Sequence, residues 1–269
     1  MVPNEHAVTC TGVVKIYRTV TGEVHALKGI DARFAAGTVT AVVGPSGSGK
    51  SSLLRILAAL DRPTAGAVRI GDTEVTALGR ASLRRVRRSM VGYVFQRPAH
   101  NMIPYLTVDG HMDLAARLRG RGGEDAAALL ELLGLGHRRR HRPDQLSGGE
   151  QQRLAFAQAV IGDPPIVVAD EPTAELDSAT GERLLEAVAA LAARGTSFVV
   201  STHDPRVVEA AERTLHLRHG ALEAETEERR LSVIDEAGRI QLPPQALALF
   251  ADRRAVIEVE DDHVRIEPP

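Results

Sequence analysis

The stretch TVTAVVGPSGSGKSS, residues 38–52, constrains the fold of this chain more than any other. Its first six residues are apolar or β-branched and suit a buried strand. The glycine-rich turn leads into LLRILAAL, whose Leu53, Leu54 and Leu57 recur at helical spacing. Gly44, Gly49, Lys50 and Ser51 therefore form G-x-x-x-x-G-K-S between a strand and a helix, the context in which that pattern cradles phosphate. A helix that opens there offers unpaired N–H groups and the positive end of its macrodipole. Lys50 is expected to reach the β and γ oxygens of a nucleoside triphosphate and Ser51 to ligate magnesium. Pro45, Ser46, Gly47, Ser48 and Ser52 complete the cradle. Lys50 stands out further because only Lys15 and Lys28 accompany it among 33 basic residues.

Along the chain, strand and helix patterns alternate. Residues 8–16 alternate as a strand, Gly37 closes a turn, and AVRIG and MVGYVF read as further strands, after the turn DRPTAG. Residues 108–135 read as two helices, and a helix follows LSGGEQQR to Ile161. Then come the strand PIVVADE, a helix over 179–193, the strand SFVVSTH, a short helix and the strand TLHLR. Such alternation predicts an α/β fold with a largely parallel sheet covered on both faces. ETEERR, residues 225–230, reads as a linker. Beyond it the pattern is a small β-rich unit: hairpin strands, a short helix and a second hairpin, with turns at Gly238 and at Asp261 and Asp262. The expected domains are 1–225, with a helical part at about 97–162, and 226–269.

The 269 residues carry 33 Lys and Arg against 35 Asp and Glu, so nothing global favours nucleic acid as a partner. The single cysteine, Cys10, excludes an intrachain disulfide and fits a reducing compartment. MVPNEHAVTC lacks the apolar core of a signal peptide. No apolar run approaches the roughly 20 residues of a membrane span, so any membrane role is expected to come from a partner. The runs RASLRRVRR (80–88) and RRRHR (138–142) read as solvated, ion-paired faces, with contact to anionic lipid or nucleic acid as the rival reading. His137 and His141 have an i, i+4 metal spacing, but the arginines between them disfavour a cation.

A second anion site is legible in LSGGEQQR, residues 146–153, where Ser147, Gly148 and Gly149 stand at a helix start. Asp170 and Glu171 end the apolar strand IVVADE, at the sheet edge where open α/β folds bind ligands. Asp170 suits a magnesium shell and Glu171 a general base for water, although an Asp-Glu pair also caps helices. His203 is placed to bond a γ-phosphate, against the plainer reading of a loop histidine.

Phosphate loop, LSGGEQQR, IVVADE and STH in this order resemble the ATP-binding subunit of ABC transporters over residues 7–223. The resemblance implies ATP and Mg2+ as ligands and an ATPase that dimerises head to tail. Ser147 and Gly149 of one copy would close on the γ-phosphate held by the loop of the other. It also implies that Tyr17 stacks on adenine, where the rival reading is a core tyrosine. By the same resemblance Gln96 senses magnesium and water, and Asp177 crosses the interface. A permease embedded in the membrane and a peripheral, cytoplasmic location complete the picture.

YRTVTGEVHALKGID, LAALDRPTAGAV, VGYVFQ and IPYLT are similar to the branch serving lipoprotein release, macrolide efflux, antimicrobial-peptide resistance and cell division. RPAHNM (97–102) and VDGHMDL (108–114) depart from that branch, which has a Glu-Asn-Val type helix start, and AELD departs from Ser-Ala-Leu-Asp but keeps Asp177. A soluble DNA-repair cassette would need a coiled-coil insertion for which the interval from Ser51 to Ser147 has no room, and a ribosome-acting relative usually carries two cassettes. Residues 231–269 resemble, through GRIQLP, the swapped-hairpin domain of AbrB-type regulators, which raises a DNA-linked role. Ten Asp and Glu against six Lys and Arg over 226–269 argue against DNA and for a pairing module.

Overall fold

The computed structural model describes residues 6–20, 22–120 and 126–226, with the short strands at 230–232, 256–259 and 264–267. Five strands, β3 (Val39–Val43), β6 (Val91–Val94), β7 (Ile166–Asp170), β8 (Ser197–Ser201) and β9 (Arg213–Arg218), run parallel in the order β9-β3-β8-β7-β6. The antiparallel strands β10 (Ala221–Thr226) and β11 (Arg230–Ser232) extend this sheet beyond β9. A second, antiparallel sheet has the order β2-β1-β4-β5, from β1 (His6–Thr19), β2 (Gly22–Ala35), β4 (Ala65–Ile70) and β5 (Thr73–Glu74). The helices are α1 (Lys50–Leu57), α2 (Arg80–Met90), α3 (Val108–Leu118), α4 (Ala126–Leu132), α5 (Gly148–Val160), α6 (Ser178–Ala193) and α7 (Pro205–Glu209).

β7 and β8 are buried at every residue, as strands covered on both faces must be. Alternate residues enter opposite cores. Val167, Ala169, Phe198 and Val200 pack with α3, α5 and α6 through residues such as Met112, Phe156 and Leu184. Ile166, Val168 and Val199 pack with Leu53, Leu54, Ile56 and Leu57 of α1, which lies between this sheet and Val8, Ile30, Phe34 and Val68 of the antiparallel sheet. Each buried leucine stabilises by about 1.5–3 kcal/mol, so α1 and the loop feeding it are held from two sides.

Three elements differ from the sequence reading. The strand at residues 8–16 is longer, and its partner β2 was not foreseen; the two pair antiparallel from His6 opposite Ala35 to Thr19 opposite Gly22, with several register shifts. RASLRRVRR is a helix that buries only Val86. None of its five guanidinium groups has an ion pair among the described residues, so the helix presents a solvated face there without the expected ion pairs. In the other basic run Arg138 pairs with Glu150 and Arg139 with Asp109, both at 2.8 Å.

The expected linker is also corrected. Glu225 and Thr226 belong to β10 and Arg230 to β11, with Thr226 opposite Arg230. The boundary drawn after residue 225 thus falls inside a strand. An edge hairpin tolerates charges that a central strand would not, which is why composition alone misled. In the expected C-terminal unit, β12 (Val256–Val259) pairs antiparallel with β13 (Val264–Glu267). The turn at Gly238, the short helix and the turn at Asp261 and Asp262 lie outside the described residues, as does most of the swapped-hairpin segment.

Candidate nucleotide site

The phosphate loop leaves β3 and enters α1 under steric constraints that only glycine meets. Gly44 has φ 152° and Gly49 φ 106°. A Cβ on Gly44 would lie 2.0 Å from the carbonyl oxygen of Leu217, and one on Gly49 2.4 Å from that of Ala26. Helix α1 has Gly49 as its N-cap, no side-chain cap and no acidic residue in its first turn, so its leading N–H groups face outward to an anion. Lys50 Nζ donates to the carbonyl oxygens of Gly44 (2.7 Å) and Pro45 (3.1 Å), which holds the ammonium inside the curl of the loop. The buried Ser48 hydroxyl has no hydrogen-bond partner among the described residues.

The facing wall comes from the C-terminal ends of β6, β7 and β8. The Ser201 hydroxyl donates to Asp170 Oδ1, and the Glu171 N–H donates to the Ser201 carbonyl at 3.0 Å. Glu171 has φ 52°, in the left-handed region that costs a non-glycine residue about 1–3 kcal/mol and that clusters at functional sites. Its buried carboxylate lies 2.9 Å from Nδ1 of the exposed His203. That hydrogen bond, together with the charge of Glu171, raises the pKa of His203 above the ordinary 6.5.

Gln96 follows β6. Its loop is pinned by Asn101, which accepts from the Phe95 N–H at 3.0 Å and donates to the Tyr93 carbonyl at 2.8 Å. Asn101 lies in the segment that departs from the resembled branch, and nothing in its spacing announced this role. On the antiparallel sheet, the Tyr17 hydroxyl donates to Asp61 Oδ2 at 3.1 Å and lies 3.3 Å from the Ser52 hydroxyl. Lys15 sits 4.8 Å over the Tyr17 ring and 2.8 Å from Asp61. Burial alone would raise the Asp61 carboxyl, but Lys15 and the Arg62 N–H outweigh it and hold the group below its ordinary value.

Tyr17, the loop residues 44 and 46–52, Gln96, Asp170, Glu171 and His203 line one cleft of about 600 Å³. Pro45 contributes only its carbonyl, to Lys50. Ser51, Gln96 and Asp170 offer hydroxyl, amide and carboxylate oxygens, the hard donors that magnesium takes together with phosphate oxygens and water. Three such oxygens leave part of a six-coordinate shell open, which nucleotide oxygens and water would fill.

Ser147, Gly148, Gly149 and Asp177 are not on that cleft. Ser147 caps α5 in a reciprocal box: its hydroxyl accepts from the Glu150 N–H at 3.2 Å, and Glu150 Oε2 accepts from the Ser147 N–H at 2.8 Å. Arg138 donates to Glu150 Oε1 at 2.8 Å, a support that the basic run did not reveal. Gly148 and Gly149 abut Glu175, with a Cβ on Gly149 placed 3.1 Å from the Glu175 carbonyl oxygen. Asp177 caps α6 by accepting from the Thr180 N–H at 3.0 Å. The chain thus carries two glycine-bearing helix starts, the uncapped one of α1 inside the cleft and the capped one of α5, with Glu150 in its first turn, outside it.

Comparison with known proteins gives this geometry a family. The model of the ABC transporter family matches residues 27–174. An uncharacterized ABC transporter ATP-binding protein of Thermotoga maritima is 43% identical over 215 residues, which is 78% of this chain and 91% of that protein. The lipoprotein-releasing system ATP-binding protein LolD of a Shewanella species is 39% identical over 220 residues, 80% of this chain and 94% of its own. The macrolide export ATP-binding/permease protein MacB of Paracoccus denitrificans is 41% identical over 218 residues, but this chain spans only 32% of its length. Among solved structures, the dimeric ABC transporter cassette MJ0796 of Methanocaldococcus jannaschii superposes with TM-score 0.78 at 36% identity, covering 82% of this chain and 99% of that one. The same cassette in a post-hydrolysis state bound to ADP and Pi matches with TM-score 0.78 at 37% identity. None of these relatives speaks to the swapped-hairpin resemblance. Phosphate loop, strand-end carboxylates and relatives along most of the sequence agree, and the chain belongs to the ABC transporter family as one of its ATP-hydrolysing cassettes.

Proposed function

We propose that two copies of this chain close head to tail over two molecules of ATP, and that their hydrolysis drives a permease embedded in the membrane. The observation that supports this reading is the separation of the two glycine-bearing helix N-termini. The start of α1 lies in the cleft, whereas Ser147 and Gly149 at the start of α5 lie outside its lining. A second copy, reversed, brings its α5 to the γ-phosphate that the first copy's loop holds, with Asp177 at the same junction. Titration of mixed variants, described in the Discussion, tests it.

Within the cleft, Lys50 and the loop N–H groups bind the β- and γ-phosphates. Magnesium, when held by Ser51, Gln96 and Asp170, supplies neutralising charge at those oxygens. Glu171 accepts the proton of the attacking water, and His203 orients that carboxylate and bonds the γ-phosphate. Tyr17 offers adenine the ring face opposite Lys15. No helix among the described residues is long and apolar enough to cross a membrane. The relatives LolD and MacB are named for lipoprotein release and macrolide export, and a related permease at the inner face of the cell membrane is the partner we assign. Purification from detergent-solubilised membranes, with mass identification of what accompanies the chain, tests that assignment; a cassette that comes out without any integral membrane protein would count against it.

For residues 226–269 we retain the reading of a pairing module. A two-stranded hairpin such as β12–β13 is marginal alone and needs a second surface, either its own cassette or a second copy. Removal of residues 231–269 should then weaken nucleotide-free association and leave DNA affinity negligible.

A further inference from the structure

Outside the nucleotide cleft, the first turns of α2 break the rules of a stable surface helix, although Arg87 and Arg88 in its last turn suit the dipole. Its N-cap, Gly79, gives no side-chain hydrogen bond, its first turn holds no acidic residue, and Arg80 stands at the positive end of the dipole. Arg80 with Arg84, and Arg84 with Arg88, place like charges one turn apart, an arrangement that disfavours a helix. None of the five arginines has an ion pair among the described residues. Local conflicts of this sort mark functional sites.

Arg80, Leu83, Arg84 and Arg87 fall on one stripe of α2 and line a concave cleft of about 810 Å³. Arg62, from outside α2, also lines it, and its Nη2 donates to the Leu78 carbonyl. Four arginines from two separate parts of the chain therefore line one space, together with Leu83 and the apolar stems of those arginines. That volume lies in the range of small-molecule sites, roughly 300–1,000 Å³, and its concave shape does not suit the long ridge of a nucleic-acid backbone.

The geometry points to a second anion site in this chain, separate from the nucleotide cleft, for a ligand bearing two or more phosphate groups or a phosphate ester beside an apolar portion. Planar guanidinium forks grip phosphate oxygens in bidentate pairs, and four of them repel one another until such a ligand neutralises them. The same chemistry is offered by a free polyphosphate and by an anionic phospholipid headgroup.

The test uses the full chain in the Lys50→Ala background, which removes the main phosphate-loop contact, with and without Arg84→Gln and Arg87→Gln. Calorimetric titration with inorganic tripolyphosphate, and flotation with vesicles of phosphatidylcholine with or without phosphatidylglycerol, distinguish the free ligand from the lipid. Binding of either probe should fall at least about tenfold in the double variant, and should fall also in Arg62→Gln outside α2. Arg84→Lys with Arg87→Lys should recover only part of it, because the charge returns without the fork. In the Lys50-intact chain, Arg84→Gln with Arg87→Gln should leave basal ATP turnover unchanged and the melting temperature no lower, since like-charge repulsion is relieved, which separates ligand loss from misfolding. Equal binding of both probes by the parent and the Gln variants overturns the site. Preferential binding of duplex DNA that depends on the same arginines overturns the ligand class.

Discussion

His203 Nδ1 lies 2.9 Å from Glu171 Oε2, a contact made because β7 and β8 are parallel neighbours with Asp170 opposite Ser201. Residues just past the C-terminal ends of the two strands consequently meet over the cleft. Glu171 is the base in the proposed mechanism, and Glu171→Gln keeps its shape while removing its proton affinity. Turnover should fall by about 10²–10⁴-fold with ATP binding retained. Phosphate release and nucleotide titration on the same preparation check it; near-normal turnover would remove Glu171 from the mechanism.

The same contact sets a pH dependence. Glu171 raises the folded-state pKa of His203 above 6.5, so the interaction is fully present below 6.5 and is lost as pH rises through the raised value. Turnover that relies on protonated His203 should decline on that alkaline side. His203→Gln should be slower at low pH and show a flatter profile from about pH 6 to pH 9. A variant whose profile overlays the wild type would show that another group titrates.

Glycine is required at position 49 by a close approach and not by φ alone. A Cβ there falls 2.4 Å from the Ala26 carbonyl oxygen, whereas at Gly12, also with positive φ, it meets nothing within 4 Å. Gly49→Ala should cost about 1–3 kcal/mol of stability and abolish measurable ATP binding, and Gly12→Ala should cost less and leave binding intact. Denaturant melts of both variants, paired with nucleotide titration, make the comparison.

Asp204 ties the two sides of the catalytic strand ends together. Its Oδ2 accepts from the Thr173 hydroxyl at 3.0 Å and from Arg206 Nη2 at 2.7 Å, while Arg206 Nη1 reaches the Ser178 carbonyl at 3.2 Å. Asp204→Asn should loosen the placement of His203 and of the segment leading to Asp177. We expect kcat to fall by about tenfold to 100-fold with little change in the affinity for a single nucleotide. An equal loss in binding would assign Asp204 to nucleotide contact instead.

At the surface site, burial alone would raise the Glu150 carboxyl, but the Ser147 N–H and Arg138 outweigh it and hold its pKa below the ordinary 4.5. A depressed carboxylate stabilises the fold above that value and loses its contribution as pH falls through the folded pKa. Arg138→Ala should cost about 1–3 kcal/mol at neutral pH and reduce the further loss on acidification. Thermal melts at neutral and acidic pH would show it; an unchanged acid response would place the stabilisation elsewhere.

Much of the site was legible because its chemistry is local in sequence. Gly44 to Ser52, Ser147 to Gly149 and the pair Asp170–Glu171 each sit in short segments whose glycines, caps and strand ends declare themselves. What escaped depends on long-range pairing or on polar composition. In β2 only Ile30 to Phe34 alternates, with Ile30, Ala32 and Phe34 buried; Gly29 and the polar residues before it break the pattern, and pairing with β1 is what extends the strand back to Gly22. Helix α2 has too few apolar residues for a periodic signal, since Val86 is its one buried side chain. Asn101 beneath Gln96 and Arg138 beneath Glu150 act through loops whose geometry no spacing rule encodes.

The head-to-tail sandwich is tested most directly by mixing two inactive variants. Lys50→Ala spoils the phosphate loop of its own chain, and Gly149→Glu places a carboxylate where α5 must meet the γ-phosphate of its partner. In a head-to-tail pair of one copy of each, both defects fall in one site, and the other site combines an intact loop with an intact Ser147–Gly149 segment. The account predicts that ATP turnover, absent from either preparation alone, appears on mixing and rises with the fraction of mixed dimers. Turnover that stays at background at every mixing ratio, although sedimentation shows ATP-dependent mixed dimers, would contradict it.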